Sequence, residues 1–318
     1  MATPQPSVTV SPIDAARAAY HHTRTQLFPI RVERWLVLGL LAFLDQCGRA
    51  FRGGGGSTGG GHGHLPGGPG DWRADIDHAG AWLQNAFEWI AAHATLVALG
   101  AVLGLLVFGV VAAVVLWVNA RGVFMYADAV ATGRAELSRP WRQHAAAASS
   151  YFGWSLGVTF AGVFTLLFAA GLVVVTAFAF VSGRLEGSGG GLMLAAMVPV
   201  LLLLALALPL LALAGLALRD FVAPIQLATG LPCGAAARVL ESLVVAQPGA
   251  FVLYLLVKLL VVVATGLVVV IGGCLTCCLG FVPIVMQTLF QPLFHFERAV
   301  SLMLLRQMGY DVASRLAP

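Results

Sequence analysis

Apolar residues in this chain come in long blocks, and polar residues fall between them. Residues 94–118, 152–182, 192–218 and 249–272 each exceed the roughly 20 positions that a helix needs to cross a hydrocarbon core. Together the four blocks hold one charged residue, Lys258. Residues 279–296 form a fifth apolar stretch, interrupted by Pro283 and Pro292, which kink a membrane helix while its neighbours re-satisfy the freed carbonyl. A shorter block, 35–44, ends at Asp45, Gln46 and Cys47. Extending it from Val32 to Ala50 takes in Glu33, Arg34, Asp45 and Arg49, so a spanning, re-entrant or interfacial helix all remain open.

The pattern changes at the two ends. Over 13–28, Ile13, Ala16, Tyr20 and Leu27 share one side of a helix, and Arg17, His21 and Arg24 share the other. That arrangement suits a helix on the membrane surface, with its cations among lipid phosphates. Residues 53–70 are low complexity and glycine-rich, which predicts a mobile loop. Residues 71–92, with Trp72, Trp82 and Trp89, read as a short amphipathic helix at interface depth. Residues 297–309 continue the last span as an amphipathic helix leaving the membrane.

Composition fits this reading. Hydrophobic residues make up 59% of the 318 and charged residues 10%, against about 25% charged in an ordinary soluble domain. The net charge of +4 matters through its placement. Arg121, Arg134, Arg139 and Arg142 fall in the connection 119–146, and Arg219 and Arg238 in 219–247. Four arginines precede the first block, and Arg298, Arg306 and Arg315 follow the last. The connections 183–191 and 273–278 hold only Arg184 and Glu186. Six spans would put every basic stretch on one side, the cytoplasm. The expected fold is therefore all-α: a polytopic transmembrane helix bundle of about six spans, with cytoplasmic termini, in a bacterial cytoplasmic (inner) membrane. Its parts are a tail and surface helix (1–34), the transmembrane domain (35–310, with the non-cytoplasmic loop 53–70) and a short tail (311–318).

Two junctions look alike. Arg121 to Gly133 and Arg219 to Gly230 each follow an apolar block, and each ends in Ala-Thr-Gly. They suggest a parallel repeat of helix pairs, 94–182 and 192–272.

Candidate chemistry is sparse. Lys258 sits near the middle of its apolar block, where a charge costs about 2.5–3.5 kcal/mol and must face the bundle interior or water. Counted from a turn near residue 276, Lys258 lies as deep as His295 and Glu297 on the following helix. Lys258, Glu297 and His295 are therefore the expected buried polar cluster. It reads either as a substrate or proton site, or as a structural ion pair that glues helices together.

Cys274-Leu-Thr-Cys277-Cys278 contains a CxxC, but no second pair completes a zinc set. It reads as small residues at a hairpin tip, with an outer-face disulfide as the alternative. His62, His64, Asp71, Asp75, Asp77 and His78 surround a glycine loop without metal-site geometry. No GxxxxGK[ST] or GxSxG occurs. No catalytic residue, metal or cofactor is expected, and the arginines need no nucleic-acid partner.

Arg121 to Phe124, Pro140-Trp141, Asp220 to Pro224, Pro248 to Phe251 and Gly273 to Gly280 together carry a resemblance. The chain resembles a family of uncharacterised bacterial six-helix membrane proteins. More distantly, it is similar to the membrane domain attached to some glycerophosphodiester phosphodiesterases. The resemblance implies a fold without a catalytic residue. Two functions follow as expectations. The first is a non-enzymatic scaffold or lipid-interacting component, partnered by membrane lipids and by other membrane proteins or copies of itself. The second is a transporter or permease built around Lys258. An opening from solvent to Lys258 would favour the second.

Overall fold

Proline and glycine punctuate the helices. The computed structural model describes residues 10–47, 85, 88–181, 189–276, 282 and 284–316. Among them every regular element is helical. Helix α1 (Pro12–Leu27) starts at Ser11, whose hydroxyl accepts the Asp14 N–H and so satisfies one of the orphan donors of the first turn. Then come α2 (Val32–Gln46), α3 (Ala94–Thr132), α4 (Ser138–Gln143) and α5 (Ala145–Val181). Helix α6 (Gly189–Ala217) passes through a π turn (Leu218–Val222) into α7 (Ala223–Thr229). The rest are α8 (Cys233–Ala246), α9 (Pro248–Leu275), α10 (Val285–Leu289), α11 (Gln291–Gln307) and α12 (Val312–Leu316).

Among the described residues, four stretches are long and apolar enough to cross a membrane: Ala94–Thr132, Ala145–Thr176, Met197–Thr229 and Pro248–Leu275. Helix α3 has 39 residues, about 58 Å at 1.5 Å per residue, or about twice the hydrocarbon thickness. Its two halves differ accordingly. Residues 98–111 are exposed on every side, whereas 119–130 are buried throughout except at Arg121. The continuous helix through α6 and α7 repeats this contrast. Leu201, Leu202, Leu206 and Leu210 are exposed, and 218–227 are buried. A helix that is apolar all round and exposed all round belongs in lipid.

The core lies at the other end of these helices. There Leu38 and Leu41 of α2 join Val123, Phe124 and Tyr126 of α3, with Phe221, Ile225, Tyr254 and Leu304. Helix α1 packs antiparallel on α11. The Ser11 N–H donates to Gln307 Oε1 (2.9 Å), and Thr23 Oγ1 meets His295 Nδ1 (3.0 Å). The two ends of the described chain are thus side by side.

Helix α2 is wedged between neighbours by glycine. A Cβ on Gly122 of α3 would lie 2.7 Å from the Leu44 carbonyl oxygen. One on Gly39 would lie 2.9 Å from the Thr288 Cα in α10.

Two expected spans differ from the structure. Helix α2 has 15 residues, about 22 Å, short of the hydrocarbon core. It lies beside the buried half of α3, with Arg34 Nη2 donating to the Gly133 carbonyl (2.8 Å) and Asn119 Nδ2 to the Leu44 and Asp45 carbonyls (2.8 Å each). In 279–296 the helix breaks at Phe290, between α10 and α11. Pro292 stands in the first turn of α11, where its missing N–H costs no helical bond. Residues 277–281 and 283 lie outside the described residues, as do the glycine loop 53–70 and most of 71–92. The connections 119–146 and 219–247 are largely helix rather than loop, because α3 and α7 stop only at Gly133 and Gly230.

Those two stops are built alike. Gly133 and Gly230 have φ of 74° and 76°, the left-handed conformation that glycine adopts without a Cβ clash. The preceding threonine hydroxyl donates four residues back, from Thr132 to the Asp128 carbonyl (2.8 Å) and from Thr229 to the Ile225 carbonyl (2.6 Å). Nine residues before each glycine stands a phenylalanine, Phe124 or Phe221. Each meets a buried tyrosine edge to face, Tyr151 at 5.7 Å and Tyr254 at 4.8 Å. Each tyrosine is the seventh residue of its helix, α5 or α9. This is the geometry of two related helix pairs. Lys258 in α9 holds the position of Ser155 in α5, the eleventh of each helix, so the charge is particular to the second pair.

Candidate functional site

The π turn in the α6–α7 helix organises the polar centre. The Ala223 N–H reaches back five residues to the Leu218 carbonyl. In that register the next donor, at 224, would serve the Arg219 carbonyl, but residue 224 is proline. Arg298 of α11 supplies the missing donor, with Nη1 2.6 Å from the Arg219 carbonyl. Its Nη2 reaches the Val123 carbonyl on α3 (3.3 Å). One guanidinium therefore joins the two related pairs through their main chains.

Around this clasp the π turn presents Arg219 and Asp220 inward. The Asp45 carboxylate, at the end of α2, accepts two bonds from Arg219 Nε (3.1 and 3.0 Å) and one from Nη2. Arg219 Nη1 donates to Asp220 Oδ1 and Glu297 Oε1, both at 3.2 Å. Lys258 Nζ lies 2.6 Å from Asp220 Oδ2 and 3.0 Å from Glu297 Oε1. The Tyr254 hydroxyl donates to Asp220 Oδ2 (2.9 Å), and Arg298 Nη1 is 3.5 Å from Asp220 Oδ1. All six charged residues are at most 6% exposed. Among the described residues, three carboxylates thus face three cations, and their formal charges cancel.

That balance decides whether the cluster can exist. Each buried ion loses several kcal/mol of hydration, and only close, well-bonded counter-charges offset the loss. The cluster also lies where the uncharged blocks end. Residues 94–118 stop one residue before Asn119, 192–218 stop at Arg219, and 259–275 begin after Lys258. The last of these alone is about 25 Å long, most of a hydrocarbon thickness. Lys258 thus stands at the edge of an apolar zone rather than at its centre.

Of the three residues expected to cluster, Lys258 and Glu297 are brought together and His295 is not. Positions 295 and 297 project about 200° apart on a helix. His295 faces α1, with Nδ1 3.0 Å from Thr23 Oγ1 and Nε2 3.1 Å from Gln26 Oε1. Burial, then the nearby His22 and Arg34, push its pKa down to about 3. Asp45, Arg219, Asp220 and Arg298 escaped the sequence reading. The two arginines looked like topology markers, and Asp45 looked like the end of a weak span.

Other candidates stand apart. The Cys274 thiol is exposed and free, whereas Cys277 and Cys278 lie outside the described residues. So do His62, His64, Asp71, Asp75, Asp77 and His78. A smaller polar group joins Asp128 to His144 Nε2 (3.1 Å) beside Phe124. Two surface clefts are lined by residues from 228 to 315 and from 138 to 143, and neither includes a residue of the charged cluster.

No curated protein and no solved structure matches this chain, so the likeness to phosphodiesterase membrane domains gains no support there. One family model, described as a family of unknown function (DUF7544), matches residues 10–310. That span takes in α1, all four long apolar helices and every residue of the charged cluster. The chain therefore belongs to the DUF7544 family.

Proposed function

We propose that this protein is a non-enzymatic membrane component, a scaffold that holds a rigid polar body at the surface of four apolar helices. The carrying observation is the balance of charge among the cluster's described residues: carboxylates and cations pair with one another, and Arg298 with the clasped carbonyl. Such a cluster fixes α2, the π turn, α9 and α11 in one arrangement. The polar body faces the cytoplasm of a bacterial inner membrane, which the arginines of 119–146 and 219–247 favour. An even number of crossings leaves both termini there, in keeping with the pairing of Ser11 and Gln307. Its partners are membrane lipids and other membrane proteins or copies of itself, not nucleic acid.

A transporter is the second reading, favoured by two details. Gln291 Oε1 and Arg298 Nε are buried without a hydrogen-bond partner among the described residues, which leaves room for bound water. The π turn is a deformation often found at functional sites. Sealed liposomes carrying the purified chain and an internal pH dye separate the readings. The scaffold predicts proton leakage equal to that of empty liposomes. A protein-dependent flux that Lys258→Met abolishes would establish the second reading.

A further inference from the structure

The uncharged half of α3 ends at Val118, one residue after a half-exposed tryptophan, Trp117. Arg121, one turn further on, lies between two indoles, 4.8 Å from the Trp117 ring and 4.9 Å from the Trp141 ring. It also donates from Nη1 to the Trp141 carbonyl (2.7 Å). This clamp ties the short helix α4 to the place where the apolar zone stops. Tryptophan at such a boundary sits at lipid-headgroup level. Trp154 of α5, 51% exposed, marks the same edge.

Pro140 and His144 turn inward, while Ser138, Arg139, Arg142 and Gln143 line an open cleft of about 620 Å³. Arg139 shares its charge with Glu136 (3.3 Å) and, more distantly, Asp128 (4.0 Å). Arg142 is exposed and makes no ion pair among the described residues. Arg134 Nη2 is satisfied by the Leu316 carbonyl, which leaves its charge uncompensated. The segment 133–143 therefore carries three arginines against one exposed acid, Glu136.

We propose that this cleft docks the headgroup of an anionic phospholipid. Arg142 and Arg139 meet its phosphate, and the Trp117–Arg121–Trp141 clamp sets the depth. The proposal deepens the lipid partnership named above and rests on the membrane placement of α3. Planar guanidinium groups suit phosphate through paired N–H donors, and basic residues near a membrane surface favour anionic lipid over neutral lipid.

The test uses the full chain in nanodiscs of equal phosphatidylcholine and phosphatidylglycerol, released into mild detergent, with retained lipids counted by mass spectrometry. The wild type is expected to retain phosphatidylglycerol preferentially. Arg139→Gln/Arg142→Gln should lower that preference about fivefold or more, Arg139→Lys/Arg142→Lys should keep most of it, and Arg306→Gln, at a residue that does not line the cleft, should not change it. Equal retention by wild type and Arg139→Gln/Arg142→Gln would overturn the proposal. So would displacement of the lipid by millimolar inorganic phosphate, which would mark a site for soluble anions. Unfolding temperatures of the same variants leave the scaffold reading separately testable, because none of these residues belongs to the buried cluster.

Discussion

Arg298 donates from Nη1 to the main-chain carbonyl of Arg219, 2.6 Å away, in place of the N–H that Pro224 lacks. The proline, the π turn and the buried arginine are one device. A guanidinium enters an apolar core where carboxylates balance its charge and acceptors take most of its donors, and here Asp220 and the Arg219 and Val123 carbonyls take those of Nη1 and Nη2.

A double-mutant cycle reads this coupling. Arg298→Met alone should cost about 3–5 kcal/mol, since it strands buried carboxylates. In a Pro224→Ala background the cost should fall by about 1–2 kcal/mol, because residue 224 now has an N–H for the Arg219 carbonyl. Detergent melts of the four proteins measure it, and strict additivity would count against the coupling.

The wedged position of α2 makes another contrast. Gly122→Ala and Gly39→Ala each push a methyl into backbone atoms of a neighbouring helix, and each should destabilise by about 1–3 kcal/mol. Gly100→Ala, which meets nothing within 4 Å, should be neutral or stabilise by up to about 1 kcal/mol through helix propensity. Melting temperatures of the three variants give the comparison.

The α1–α11 contact should loosen in acid. His295 is buried neutral, with its pKa held near 3 against an ordinary 6.5. The released state therefore binds the proton more readily than the packed state. Its contribution is whole above pH 6.5 and is lost as pH falls towards 3, by at most about 1.4 kcal/mol per unit. Hydrogen exchange over 12–27 at pH 7 and pH 5 should show faster opening at the lower value. His295→Gln should flatten that dependence.

Much of this was legible in the sequence, for reasons that particular residues make clear. The four spans showed because an uncharged block longer than a membrane thickness has few other uses. Lys258 and Glu297 could be matched because antiparallel helices joined by a turn bring equal counts to equal depth. Arg219 and Arg298 could not, because a charge at the end of an apolar block reads the same whether it faces water or a partner. Only Pro224, five residues after Arg219, hinted at a carbonyl in need of a donor. The break in 279–296 is not legible, because apolar content does not separate a helix kinked at Pro292 from one that ends and restarts there. His295 faces away because equal depth leaves the rotation about the helix axis undetermined.

Thermal unfolding in one detergent, of wild type, Lys258→Met and Lys258→Met/Glu297→Gln, tests the balanced cluster most directly. The single change leaves two buried carboxylates sharing too few cations and should cost about 3–5 kcal/mol. The double change leaves Asp45 and Asp220 opposite Arg219 and Arg298, balanced again, and should recover most of the loss. A double variant less stable than the single one would contradict the claim that mutual compensation of these charges holds the polar body together.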